Sequence, residues 1–254
     1  MDSSLDEQRL RVEYQPIVDL RTGRVTSAEA LVRIMDPDVG LLQPDSFLEV
    51  AEETGLLVTM DERVFAQAVQ QAAAWRARFG GSGFSGVSVN ITGGHLADAG
   101  FAKSVVDALD EHDLPHDHLQ VELTERVLME ASDSAITGLR ALRDAGVPVG
   151  LDDFGTGFSS LAYLRQFPLD FVKIDRSFLG GAAAAVDNDA IVAAIVGLSH
   201  ALGLAVVAEG VETQRQLESL VSLECDRAQG FLLARPGPPE AVDELVRSGP
   251  AVTG

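Results

Sequence analysis

The chain has 254 residues, 46% of them hydrophobic, which suits one large globular domain, and single α/β barrels commonly reach this size. Its 19 Lys and Arg stand against 39 Asp and Glu, a formal charge of −20 that argues against a DNA or RNA duplex, or an anionic membrane, as partner. The one cysteine, Cys225, excludes an internal disulfide and fits a reducing compartment.

The opening "MDSSLDEQRL" is charged and lacks the apolar stretch of a signal peptide, so a cytoplasmic location is expected. The first β-branched runs are "VEYQPIV" from Val12 and "VTSAEALVR" from Val25. Only "DLRTGRV" joins them, too short for a parallel crossover, so they are predicted to form an antiparallel hairpin. "PDSFLEVAEETG" starts with Pro44 and Asp45 and stops at Gly55, a helix signature. "TMDERVFAQAVQQAAAWRARFG" is a second helix, with Trp75 among alanines as a packing residue. Strands follow at "GVSVNIT" from Gly86 and "LQVELTE" from Leu119. "SDSAITGLRALRDAG" reads as a helix capped by Ser132 or Asp133 and stopped by Gly146. Next come the strands "VPVGLDD" from Val147 and "FVKID" from Phe171, then "GGAAAAVDND" from Gly180 as a loop.

The apolar run Ala190 to Ala208 approaches the length of a membrane span, but Ser199, His200 and Gly203 interrupt it. It is better read as a buried helix, a turn at Gly203 and a buried strand, "AVVAEGV" from Ala205. "TQRQLESLVSL", the strand "AQGFLL" from Ala228 and the helix "PPEAVDELVRS" complete the chain. Mostly continuous apolar strands, most followed by a helix, predict a (β/α)8 barrel, irregular at its antiparallel start. Residues 1–254 read as one domain with its core over about 10–248.

Three other patterns carry less. "GSGFSG", Gly81 to Gly86, matches a dinucleotide fingerprint but follows a helix and precedes a strand, so it is a turn. "DFG" at Asp153 lacks the companion motifs of a kinase. "EHDLPHDH" holds His112, His116 and His118 on the rim away from the strand ends and reads as a solvated loop. His95 and His200 read as surface or core residues.

The informative pattern is acid at strand ends. Glu29 and Arg33, Asn90, Glu122 and Glu125, Asp152 and Asp153, Lys173 and Asp175, Glu209 and Glu212, and Gln229 all fall there. In a parallel barrel these ends share one rim, where the active sites of such folds lie. Two unit charges about 4 Å apart repel by roughly 4 kcal/mol at an effective dielectric near 20, so protons or cations must offset such a cluster. Oxygen donors with one amide favour Mg2+, Mn2+ or Ca2+ over zinc. The adjacent Asp152 and Asp153 are tolerable if one carboxylate bridges two ions.

Taken in order, "EALVR" (Glu29 to Arg33), "VSVN" ending at Asn90, "ELTE" (Glu122 to Glu125), "DDFGTGFSSL" (Asp152 to Leu161), "KID", "EGVE" and "QGF" resemble the EAL-domain family of bacterial cyclic di-GMP phosphodiesterases. The resemblance implies a modified TIM (β/α)8 barrel with an antiparallel first strand. It also implies hydrolysis of cyclic di-GMP to linear pGpG with two divalent cations, Mg2+ or Mn2+, and inhibition by Ca2+. On that resemblance Glu29, Asn90, Glu122 and Asp152 hold the first metal, and Asp152, Asp153 and Glu209 the second. Lys173 contacts the attacking water and Gln229 supports the site nearby. Gln15, Leu31 and Arg33 touch substrate, and Glu125 anchors the loop after Asp153. That loop is linked to dimerisation, so a homodimer is compatible with the resemblance. Phe158 stands where many members have Tyr. The rival reading is a non-catalytic cyclic di-GMP receptor signalling through a protein partner; such members usually lack some of the acids, and here all are present.

Overall fold

The computed structural model describes residues 9–155, 164, 166–180 and 185–249, the side chains of 185–187 excepted. β1 (Leu10–Asp19) and β2 (Val25–Asp36) form the antiparallel hairpin, in register from Leu10↔Ile34 onward. Its turn is held by Asp19, whose Oδ1 accepts from the Thr22 amide at 2.7 Å. β3 (Gly40–Leu42) adds a short antiparallel flap to β2.

From β2 onward the sheet is parallel, through β4 (Val87–Asn90), β5 (Leu119–Thr124), β6 (Val149–Phe154), β7 (Phe171–Ile174), β8 (Ala205–Ala208) and β9 (Arg227–Ala228). β9 also pairs antiparallel with β1, and with the β1–β2 pairing this closes a ring of eight strands, β3 standing outside it. The modified (β/α)8 barrel expected from the sequence is thus the fold. Buried Val, Ile and Leu dominate the outward faces of β5 to β8, and the inward faces are largely buried as well, which is why these strands read as mostly apolar runs.

The helices are α1 (Leu48–Glu53), α2 (Leu57–Phe79), α3 (Gly93–Ala97), α4 (Phe101–Glu111), α5 (Glu125–Met129), α6 (Asp133–Asp144), α7 (Ala185–Ala201), α8 (Gln214–Ser222) and α9 (Pro239–Ser248). Side-chain caps fix several starts: Thr124 for α5, Ser132 for α6 and a Thr213–Gln216 capping box for α8. The alanines along one side of α2 let it approach the barrel closely, and Trp75 is fully buried there. Its ring meets Tyr14 at 5.0 Å and Phe84 at 5.2 Å edge-on, and its Nε1 donates to Asp243 Oδ1 on α9 at 2.8 Å.

Several expectations need correcting. The loop predicted from Gly180 through Asp189 does not extend that far, because α7 already begins at Ala185; residues 181–184 lie outside the described residues. "PDSFLEVAEETG" is split at Phe47 into a 3-10 turn, Pro44–Ser46, and α1. β9 ends before Gln229. Gly230 lies against the Val211 backbone, where a Cβ would come within 2.2 Å, and the chain turns there. The histidine stretch forms a 3-10 turn, His116–His118, and is not simply solvated: His118 is buried, and His116 spans Asp110 and the Ala145 carbonyl. The apolar run from Ala190 is a helix, a turn and a strand, as expected, and no described helix is long and apolar enough to cross a membrane. The glycine–threonine loop with Thr156 and Phe158 lies outside the described residues.

Inside the barrel, side chains alternate inward along each strand. One layer holds the acids. Beneath it Ile17, Phe171 and Val207 form an apolar plug. Phe171 fits because Gly150 has no side chain to oppose it: a Cβ there would sit 2.2 Å from Phe171 Cζ.

Candidate active site

Strand ends deliver the side chains to one rim, and Lys173 of β7 stands at its centre with 0% exposure. Its Nζ lies 2.6 Å from Glu209 Oε1, 2.8 Å from Glu122 Oε2, 3.0 Å from Glu29 Oε2 and 3.5 Å from Asp152 Oδ1. Carboxylate oxygens converge in two groups, Glu29–Glu122–Asp152 and Asp152–Asp153–Glu209, with the atoms of each group within 4.8 Å of one another. Asp152 belongs to both.

Amides fix the orientation of Glu29. Asn90 Nδ2 donates to its Oε1 at 2.8 Å, and Gln229 Nε2 donates to its Oε2 at 2.8 Å. Gln229 Nε2 also donates to Gln15 Oε1, whose own amide donates to the Ala234 carbonyl. Asp153 sits at φ 55, in the left-handed region, and its amide donates to Asp152 Oδ1 at 2.9 Å. That conformation costs of order 1 kcal/mol or more in a non-glycine residue, and it lets two successive carboxylates reach one centre.

Charge and burial are in tension here. Burial alone would raise Glu29, but the Lys173 charge and hydrogen bonds from Gln229, Lys173 and Asn90 hold its carboxyl below the usual range. Burial pushes Glu122 well up, despite Lys173, with Glu29 and Asp152 adding repulsion. Burial likewise raises Asp152, and lifts Glu209 to about 8 and Asp153 to about 6. For Lys173 burial works against the charge, but Asp152, Glu122, Glu209 and Glu29 overcome it and keep the ammonium protonated. Glu122 Oε1 is fully buried with no hydrogen-bond partner.

The other predicted residues lie around this centre. Arg33 is buried and bound to Glu13 through Nε at 2.9 Å and to the Val32 carbonyl through Nη1. Leu31 and Arg33 follow Glu29 along the same face of β2. Glu125 opens α5 and is buried beside Leu151 and Phe167; the loop it was expected to anchor lies outside the described residues. Asp175 caps a 3-10 turn, Arg176–Leu179, by accepting from the Ser177 amide, and Glu212 is exposed. So five of the eight strand-end acids converge; of the other three, Glu125 is buried in α5, Asp175 caps a turn and Glu212 is exposed. Glu13, which holds Arg33, was missed; its place opposite Leu31 in the hairpin register is the signal that would have found it.

A barrel closed by an antiparallel first strand, with a buried acid cluster around a lysine at its C-terminal rim, defines a class of its own. Residues 1–236 match the EAL domain family model, and the chain belongs to that family. It is 43% identical over 237 residues to the bifunctional diguanylate cyclase/cyclic di-GMP phosphodiesterase MucR of Pseudomonas aeruginosa, covering 93% of this chain and 34% of MucR. It is 40% identical to the cyclic di-GMP phosphodiesterase NbdA of the same organism, over 96% of this chain and 31% of NbdA. The chain thus spans about a third of these curated relatives. A solved PaMucR phosphodiesterase in complex with c-di-GMP superposes with a TM-score of 0.86 at 42% identity, covering 94% of this chain and 96% of that one. The EAL domain of Mycobacterium smegmatis DcpA gives 0.80 at 35% identity, over 95% and 99%.

Proposed function

We propose that this chain is a metal-dependent phosphodiesterase that hydrolyses cyclic di-GMP to linear pGpG. The observation that carries the reading is Asp152, shared by two acid groups, one buried and one half-buried, that converge beside Lys173. With all five carboxylates ionised, the centre would carry four negative charges beyond the Lys173 ammonium, the number that two divalent cations would offset. Oxygen donors with one amide suit Mg2+ or Mn2+, and the unsatisfied Glu122 Oε1 is an atom that a cation would satisfy. Ca2+, with looser coordination, is expected to bind without supporting turnover. The named activities of MucR and NbdA, and the c-di-GMP in the PaMucR complex, support the same substrate.

Glu29, Asn90, Glu122 and Asp152 would hold one ion, and Asp152, Asp153 and Glu209 the other. Such a pair acidifies a water and neutralises phosphoryl oxygens during in-line displacement. Lys173 keeps its proton at Nζ, orients Glu209 and Glu122 by hydrogen bonds, and would steady the attacking water. The chain from Gln15 through Gln229 to Glu29 keeps that carboxylate facing the centre. Leu31 and Arg33 extend β2 past Glu29 toward the nucleotide; Glu13 and Val32 engage Nε and Nη1 of Arg33, leaving Nη2 for a phosphate oxygen. A homodimer, a cytoplasmic location and anchoring of the loop after Asp153 by Glu125 belong to the same proposal.

The test is chromatography of cyclic di-GMP after incubation with the protein and Mn2+ or Mg2+. The expected product is pGpG, lost in Glu29→Ala and Glu209→Ala. Binding without turnover in either metal would assign the chain to the non-catalytic receptors instead.

A further inference from the structure

At the opposite end of the barrel, the N-terminal strand ends enclose a cavity of about 250 Å3. The Phe171 plug separates it from the acid layer, and its charge has the opposite sign. Arg227 of β9 lines it, and among the described residues its guanidinium pairs with no carboxylate. Arg143 also lines it, tied through Nε to Asp170 Oδ1 at 3.0 Å. The second oxygen of Asp170 accepts from the Val149 amide at 3.0 Å, so both are engaged. Gln120 of β5 is 5% exposed, lines the same cavity, and has no side-chain hydrogen bond among the described residues. Its amide atoms are not among the fully enclosed unpartnered ones, so they open onto the cavity and can meet solvent or a ligand there.

We infer that this mouth is a binding site for a small organic monocarboxylate with a short apolar body. Two guanidinium groups against one carboxylate leave a single positive charge, which suits a monoanion. Arg227 and the Gln120 amide both line the cavity and offer N–H donors to a carboxylate, the Arg227 guanidinium being able to meet it with two. The remaining wall is apolar, from Val147, Pro148 and Phe171, and the volume exceeds what a bare ion fills. In a protein of charge −20, a concave site lined by an arginine without a carboxylate partner among the described residues is an exception to the surrounding field.

Isothermal titration of the whole chain in EDTA with sodium benzoate tests this without any turnover. Saturable binding is expected, with Arg227→Gln about tenfold weaker, as loss of a charge-assisted hydrogen bond implies. Gln120→Leu should also weaken it, while Arg140→Gln, the same charge change on the exposed face of α6, should stay within about twofold. Absence of saturation up to roughly 20 mM, a concentration beyond any specific affinity worth the name, would overturn the site. So would equal binding by wild type and Arg227→Gln. Inorganic phosphate or benzyl alcohol binding as well as benzoate would overturn the assigned ligand class.

Discussion

Lys173 Nζ lies 2.8 Å from Glu122 Oε2, and both side chains have 0% exposure. A buried pair of this kind gains little over an apolar one, but removing one partner strands the other. Lys173→Met in metal-free protein leaves Glu29, Glu122, Asp152 and Glu209 facing one another without a cation. The expected loss is about 3–5 kcal/mol in urea denaturation with EDTA present. A loss below about 1 kcal/mol would mean that the acids are already neutral and that the ammonium does not hold the layer together.

Divalent cations should restore what the lysine alone supplies only in part. A ligand that binds only the folded state adds about 2.7 kcal/mol at a hundred times its Kd. Mn2+ is therefore expected to raise the melting temperature of wild type and EDTA to reverse it. Asp152→Asn, which alters the residue common to both acid groups, should lose most of that rise, and Asp175→Asn should keep it. Equal rises in both variants would place the cations elsewhere.

Gly150 and Phe171 occupy one space on neighbouring strands. Gly150→Ala forces the ring away from Ile17 and Val207, and overpacking of this kind costs roughly 1–3 kcal/mol. A second change, Phe171→Leu, should recover part of the loss, so the two substitutions should couple in a double-mutant cycle. Strict additivity would show that the ring does not need the empty position.

The barrel was legible because strand and helix signals alternated along the chain, and the short link between β1 and β2, five residues in the structure, ruled out a parallel crossover. The acid centre was legible because strand ends in a parallel barrel share a rim. What stayed hidden follows from tertiary contacts. Nothing local marks Asp175 as a turn cap or Glu212 as exposed while Glu209, three residues earlier, is half-buried against Lys173. The Glu13 partner of Arg33 stayed hidden too, because only the hairpin register brings the two together. The extent of β9 was overestimated because "AQGFLL" is apolar, yet the close approach of Gly230 to Val211 ends the strand. The cavity beneath Phe171 draws on residues from 120 to 227, a grouping that only barrel closure creates.

Trp75 and Asp243 tie the longest helix to the last one across 168 residues of sequence. Asp243 is 4% exposed and also meets Arg78 and, at 3.6 Å, Arg247. Asp243→Leu leaves the indole N–H buried without an acceptor, at a cost of about 1–3 kcal/mol. Asp243→Asn keeps an acceptor for Trp75 and should cost less. The comparison is read from urea midpoints with tryptophan fluorescence, and identical midpoints for the two variants would remove the indole bond from the account.

Cys225 is 5% exposed, and its Sγ donates to the Val206 carbonyl at 3.7 Å and the Arg227 carbonyl at 3.4 Å. Burial pushes the thiol up from its ordinary 9.0 to about 12. Because thiolate is the reactive form, iodoacetamide at pH 8 should label the native chain far more slowly than the urea-unfolded one. The same shift fixes the sign of a stability effect. A folded value above the unfolded one makes the thiol's contribution complete below about pH 9 and lost as pH rises toward about 12. The stability gap between wild type and Cys225→Ser should therefore be flat from about pH 6 to 8 and narrow above about pH 9. Equal labelling rates in native and unfolded protein, or a gap that widens with pH, would contradict the burial of this side chain against β8.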